Sequence, residues 1–84
     1  MAEYCTIEIH YGTGGHGGPY PNTVEALTAA IRKLRGSHSE RRIDIRDGVG
    51  GPLLAKVSKR SNGGITIEGM DAMSCLFAMR KASY

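Results

Sequence analysis

Cys5, Ile7, Ile9 and Tyr11 alternate with Tyr4, Thr6, Glu8 and His10. A period of two, rich in β-branched residues, predicts a strand with one buried face. Residues 12–22, GTGGHGGPYPN, follow with five glycines and two prolines, a composition that predicts an irregular loop. The period then changes. Val24, Leu27, Ile31 and Leu34, with Ala30 beside them, form one helical stripe. Asn22 is placed to cap that helix, with Glu25 three residues on as in a capping box. Arg32, Lys33 and Arg35 collect at its far end, where the helix dipole favours cations, and Gly36 supplies the stop.

Alternation returns after the helix. Ile43 and Ile45 interleave with Arg42, Asp44 and Arg46, and Asp47-Gly48 through Gly51-Pro52 predicts a turn. Leu53, Ala55 and Val57 interleave with Leu54, Lys56 and Ser58. Asn62-Gly63 is a strong hairpin signal before Ile65-Thr66-Ile67-Glu68. Asp71 is a candidate cap for a last helix reaching about Ala82, in which Met73, Cys75, Leu76, Phe77 and Met79 leave little of the circumference polar. Such a helix is buried on two sides or meets a partner.

The order is β-α-β-β-β-α over residues 1–84, read as one domain. Four amphipathic strands need one covered face, and the helices are the cover within the chain. The expected fold is α+β: a two-layer sandwich with both helices on one face of a four-stranded, mainly antiparallel sheet. The other face is expected to be wet. It would carry Tyr4, Thr6, Glu8, His10, Arg42, Asp44, Arg46, Leu54, Lys56, Ser58, Thr66 and Glu68.

Composition adds limits. Eighty-four residues suffice for a thin core, and two cysteines are too few for a disulfide scaffold. No apolar run has signal-peptide or transmembrane length, so the expected setting is the cytoplasm, without membrane contact. The formal net charge of +3 favours acidic proteins or nucleic acid as partners without selecting between them.

Chemical motifs are sparse. Gly12, Gly14 and Gly17 meet the G-x-G-x-x-G pattern, but Pro19-Tyr20-Pro21 separates them from the helix that would open on a phosphate. The simpler reading is a surface loop, 12–21, with His16 and Tyr20 as binding side chains. His10, His16 and His38 could suggest a metal or an acid–base site, but Cys5, His10 and His16 lack the compact spacing of a structural zinc site, so neither metal nor other cofactor is expected. Cys5 and Cys75 fall on apolar faces and read as packing residues. Arg42, Arg46, Lys56, Lys59 and Arg60 on adjoining strands and turns form a candidate basic face, diluted by Glu40, Asp44, Asp47 and Glu68.

Residues 23–82, running α-β-β-β-α, resemble the topology of the double-stranded RNA-binding domain, which implies phosphate contacts across a groove. Gly36-Ser37-His38 resembles a short segment of HicA-type toxins, and that resemblance implies a ribonuclease with His38 catalytic. In general terms the small single domain looks like the inhibitors carried by phages and mobile elements, anti-CRISPR proteins among them. The leading expectation is a non-enzymatic binding protein that occludes a site on a macromolecular partner, in the first place another protein. Leu76, Phe77 and Met79 are its candidate interface helix, or a homodimer seam. The alternatives are a nucleic-acid-binding module on the basic face and a small nuclease using His38, His16 or His10.

Overall fold

A computed structural model describes residues 4–10, 15–36 and 42–83. The elements are β1 (Cys5–Ile9), β2 (Gly15–Tyr20), α1 (Thr23–Gly36), β3 (Arg42–Arg46), β4 (Leu53–Lys59), β5 (Ile65–Glu68) and α2 (Ala72–Ala82). The strands make one antiparallel sheet in the order β2-β1-β3-β4-β5. Both helices lie on the same side of it, and their buried residues share one core with Ile7, Ile43, Ile45 and Val57. The least extent of the molecule, 21 Å, is about that of two stacked layers.

The sheet therefore has five strands where alternation predicts four. The fifth is built from the glycine segment expected to be a loop. Glycines carry no side chains to alternate, so the strand is dictated by its neighbour. Ile7 pairs with Gly17, Glu8 with His16 and Ile9 with Gly15. A Cβ at Gly17 would stand 2.9 Å from Ile7 Cγ1, so glycine there leaves room for the core isoleucine. Pro19 is tolerated because β2 is an edge strand.

The predicted helix boundaries agree closely with the structure, though one cap works differently. Asn22 Oδ1 accepts from the Glu25 backbone N–H at 2.9 Å. Glu25 does not complete a reciprocal box; its carboxylate reaches across to Lys81 of α2. Arg32 Nη2 donates to Lys81 O, and Arg35 Nη1 to Ser83 Oγ, which ties the two helices together at that end. Asp71 caps α2 through the Ser74 N–H and hydroxyl, and those bonds hold its carboxyl below the usual range.

The turn between β3 and β4 is tight. Asp47 N–H donates to Pro52 O, Gly51 N–H to Gly48 O, and Thr6 Oγ1 fastens the turn to β1 through Gly48 O. A Cβ at Gly51 would fall 1.9 Å from Asp47 O, a backbone atom that cannot step aside. Gly51→Ala is expected to lower stability by about 2 kcal/mol, read by urea denaturation. Gly36→Ala, with nothing within 4 Å of its Cβ, is the matched control.

The face away from the helices is less wet than alternation implies. Thr6 and Asp44 are buried there, at 5% and 2% exposure. The 47–52 turn roofs the first, and neighbouring long side chains roof the second.

Candidate functional site

Strand register sets a single row of polar residues across the open face. His16 of β2 stands opposite Glu8 of β1, Glu8 opposite Asp44 of β3, Asp44 opposite Lys56 of β4, and Lys56 opposite Glu68 of β5. Two carboxylates are thus direct cross-strand neighbours, an arrangement that destabilises a sheet unless cations intervene.

Arg42 and Arg46 supply those cations here, and two histidines lie alongside. His10, two residues beyond Glu8 on the same face, places Nε2 2.7 Å from Asp44 Oδ2 and 3.2 Å from Glu8 Oε1. His16 Nε2 lies 3.4 Å from Glu8 Oε2. Arg42 Nε donates to Asp44 Oδ1 at 3.0 Å, with Nη2 3.3 Å from Oδ2. Arg46 bridges Glu8 Oε1 at 3.5 Å and Gly51 O at 3.1 Å. Burial pushes the Asp44 carboxyl upward, but hydrogen bonds and charge from Arg42 and His10 outweigh it and hold the group below its ordinary range.

A shallow cavity of about 300 Å³ adjoins this cluster, lined in part by Tyr4, Thr6, His16, Pro19 and Val49. Gly17 and Gly18 complete the lining, which offers apolar surface more than hydrogen-bonding groups.

The helical layer carries a second feature. On α2, Met73, Leu76 and Phe77 are 63%, 62% and 54% exposed, and with Arg80 they line a depression of about 230 Å³. Ala78 and the half-buried Met79 take the inward side.

Several sequence-predicted residues change role. Tyr20 pairs opposite Cys5 and packs against the core, so it closes the sheet edge instead of projecting from a loop. His16 remains on the surface, but as a strand residue beside Glu8. Met79 leaves the interface helix for the core, and Met73 takes its place. Lys59 lies on the helix side, where Nζ donates to Leu34 O at the α1 C-terminus, so it is not part of the open basic face. Arg60 sits in the β4–β5 turn and donates to Thr66 Oγ1. Arg42, Arg46 and Lys56 do share the open face, interleaved with acids. Gly17 is a strand residue beneath Ile7, which removes it from a phosphate-binding turn. Gly12, Gly14, His38 and Glu40 lie outside the described residues.

Glu8 was missed as a site residue, although Glu8-x-His10 on an alternating strand places both side chains together. Cys5 is buried and Cys75 half-buried. Burial, with Asp71 nearby, pushes the Cys75 thiol upward, away from reactivity. No described helix is long and apolar enough to cross a membrane. No family model matches this chain, and no curated protein or solved structure is significantly similar to it.

Proposed function

We propose that the chain is a non-enzymatic binding protein that covers a site on another protein, docking through the outer face of α2. The observation that carries this reading is the spacing of the exposed residues. Met73, Leu76, Phe77 and Arg80 stand at i, i+3, i+4 and i+7, the pattern with which a helix enters an apolar groove. Three large apolar side chains more than half exposed on successive turns are unusual for a solvated helix. Arg80 borders them, and Arg32 and Arg35 reach the same end of α2. The fitting partner is a protein with an apolar groove and an acidic lip. The action would be occlusion, as with the small inhibitors of phages and mobile elements, anti-CRISPR proteins included.

The nucleic-acid reading draws on the basic face, and there the charges are already interleaved. Arg42 and Arg46 hold Asp44 and Glu8, and Lys56 stands between Asp44 and Glu68. Phosphate binding by Arg42 or Arg46 would have to break an existing pair first.

The test is capture of a partner from cell extract by the immobilised chain and by Leu76→Glu/Phe77→Glu, followed by titration with the purified partner. The double variant is expected to bind at least about 100-fold more weakly, since it places charge at the centre of an apolar contact. Its thermal midpoint should be nearly unchanged because both side chains are exposed. Equal affinity of the two proteins would overturn the reading. Light scattering should give a monomer; a dimer that the same substitutions dissociate would make α2 a self-association seam instead.

A further inference from the structure

We propose that Glu8, His10 and Asp44 form a binding site for a divalent transition-metal ion of the zinc type, with His16 completing the ligand set from the edge strand. The site lies on the face opposite α2, so it stands or falls independently of the docking reading.

The geometry is close to what an ion needs. One donor atom from each of Glu8, His10 and Asp44 lies within 4.8 Å of the others. A tetrahedral ion with bonds of about 2.1 Å separates its ligand atoms by about 3.4 Å. Glu8 Oε1 and His10 Nε2 are already 3.2 Å apart, whereas His16 Nε2, 3.4 Å from the other Glu8 oxygen Oε2, stands outside that three-residue cluster and must swing inward to join it. The Asp44–His10 contact, 2.7 Å, must open by less than an ångström. That adjustment is available because His10 is about one-third exposed at the end of β1.

The backbone holds the donors in place. Glu8 and His10 project from one strand to one face, Asp44 is the register partner of Glu8 on β3, and His16 is its register partner on β2. Three adjacent strands thus meet at one point. The site also has an outer shell. Arg42 holds Asp44 at both oxygens, with Nε on Oδ1 at 3.0 Å and Nη2 3.3 Å from Oδ2, the oxygen that also faces His10. A group that orients a ligating carboxylate in this way is characteristic of metal sites. A pair of carboxylates opposed across two strands gains from a divalent ion placed between them.

The donor chemistry selects the ion. Two imidazoles with two carboxylates suit zinc, cobalt, nickel or copper, whereas calcium and magnesium want oxygen ligands in larger number. Arg42 and Arg46 already offset the two carboxylates, so affinity should be well below that of a thiolate zinc site. Micromolar binding is expected, with dissociation constants of roughly 1–100 μM.

The experiment uses the full chain stripped with chelator and titrated with Zn²⁺ by calorimetry and with Co²⁺ by visible absorption. Saturable binding of one ion per chain is expected, with a cobalt band of tetrahedral intensity and a thermal midpoint that rises with zinc. Mg²⁺ and Ca²⁺ should do neither. His10→Ala should abolish binding, and His16→Ala should weaken it by about tenfold. The His16 side chain is 61% exposed, so that variant folds as the parent does and keeps the test interpretable if another variant does not. No binding below about 1 mM would overturn the proposal. So would zinc binding that survives both histidine changes but is lost in Cys75→Ser or His38→Ala.

Discussion

Ile45→Ala is expected to lower the free energy of unfolding by about 3–4 kcal/mol. Ile45 has no exposed surface, lies between Ile7 and Ala55 in register, and faces the helical layer. Truncating it removes three carbons from the middle of the sheet. Its neighbour on β4 is an alanine, whose single methyl cannot lean into the void, and α1 is held at both ends by the Asn22 cap and the Lys59 bond to Leu34 O. Poor relaxation places the cost toward the upper part of the range for isoleucine-to-alanine changes. A domain of this length has roughly 4–12 kcal/mol in total, so the variant should melt at markedly lower temperature. Ile45→Val is the graded control, at about 1 kcal/mol. Leu76→Ala should fall within about 0.5 kcal/mol, because that leucine is already largely in water. Urea denaturation of the three variants would place them in that order. An Ile45→Ala loss below about 1 kcal/mol would mean that the core is not packed as the structure has it.

The contrast between Ile45 and Leu76 also marks how far sequence reasoning reaches. Ile43, Ile45, Val57, Ile65 and Ile67 are legible as an inward face because a strand repeats every two residues and the polar partners fill the gaps. The caps at Asn22 and Asp71 are legible because the local hydrogen bonds need those side chains. Strand β2 is not, since glycine leaves no trace of which face is covered; its conformation comes from backbone pairing with β1. The exposure of Leu76 and Phe77 is equally hidden. A helix apolar on most sides does not say which side the fold will use, and here Ala78 and Met79 take the core. The Glu8–His10–Asp44 cluster is half visible. Glu8 and His10 share a face by period alone, but Asp44 joins them through a pairing of β1 with β3 that skips both β2 and α1 in the chain.

Asp44 supports the second large expected effect. It is a carboxylate with 2% of its surface exposed, sitting where alternation predicts a wet side chain. It is tolerable there because Arg42 binds both its oxygens and His10 approaches one. Asp44→Ala deletes those bonds and is expected to cost about 2–3 kcal/mol near pH 7. The value lies below that of a fully buried pair because the Arg42 side chain is 40% exposed and recovers water when its partner is lost. Acid should erase the difference, and the direction follows from linkage. The folded-state carboxyl titrates below its ordinary value, so its stabilisation is complete above the unfolded-state value and is lost as pH falls through the folded one. Parent and variant should therefore differ by the full amount at neutral pH and converge in acid, as the pH falls through the lowered folded-state value. Paired urea titrations at the two pH values measure this, and a gap that persists unchanged in acid would assign the role of Asp44 to shape instead of charge. Convergence would instead establish that ionic pairing is what keeps this buried carboxylate charged beside Glu8, in the arrangement a metal ion would use.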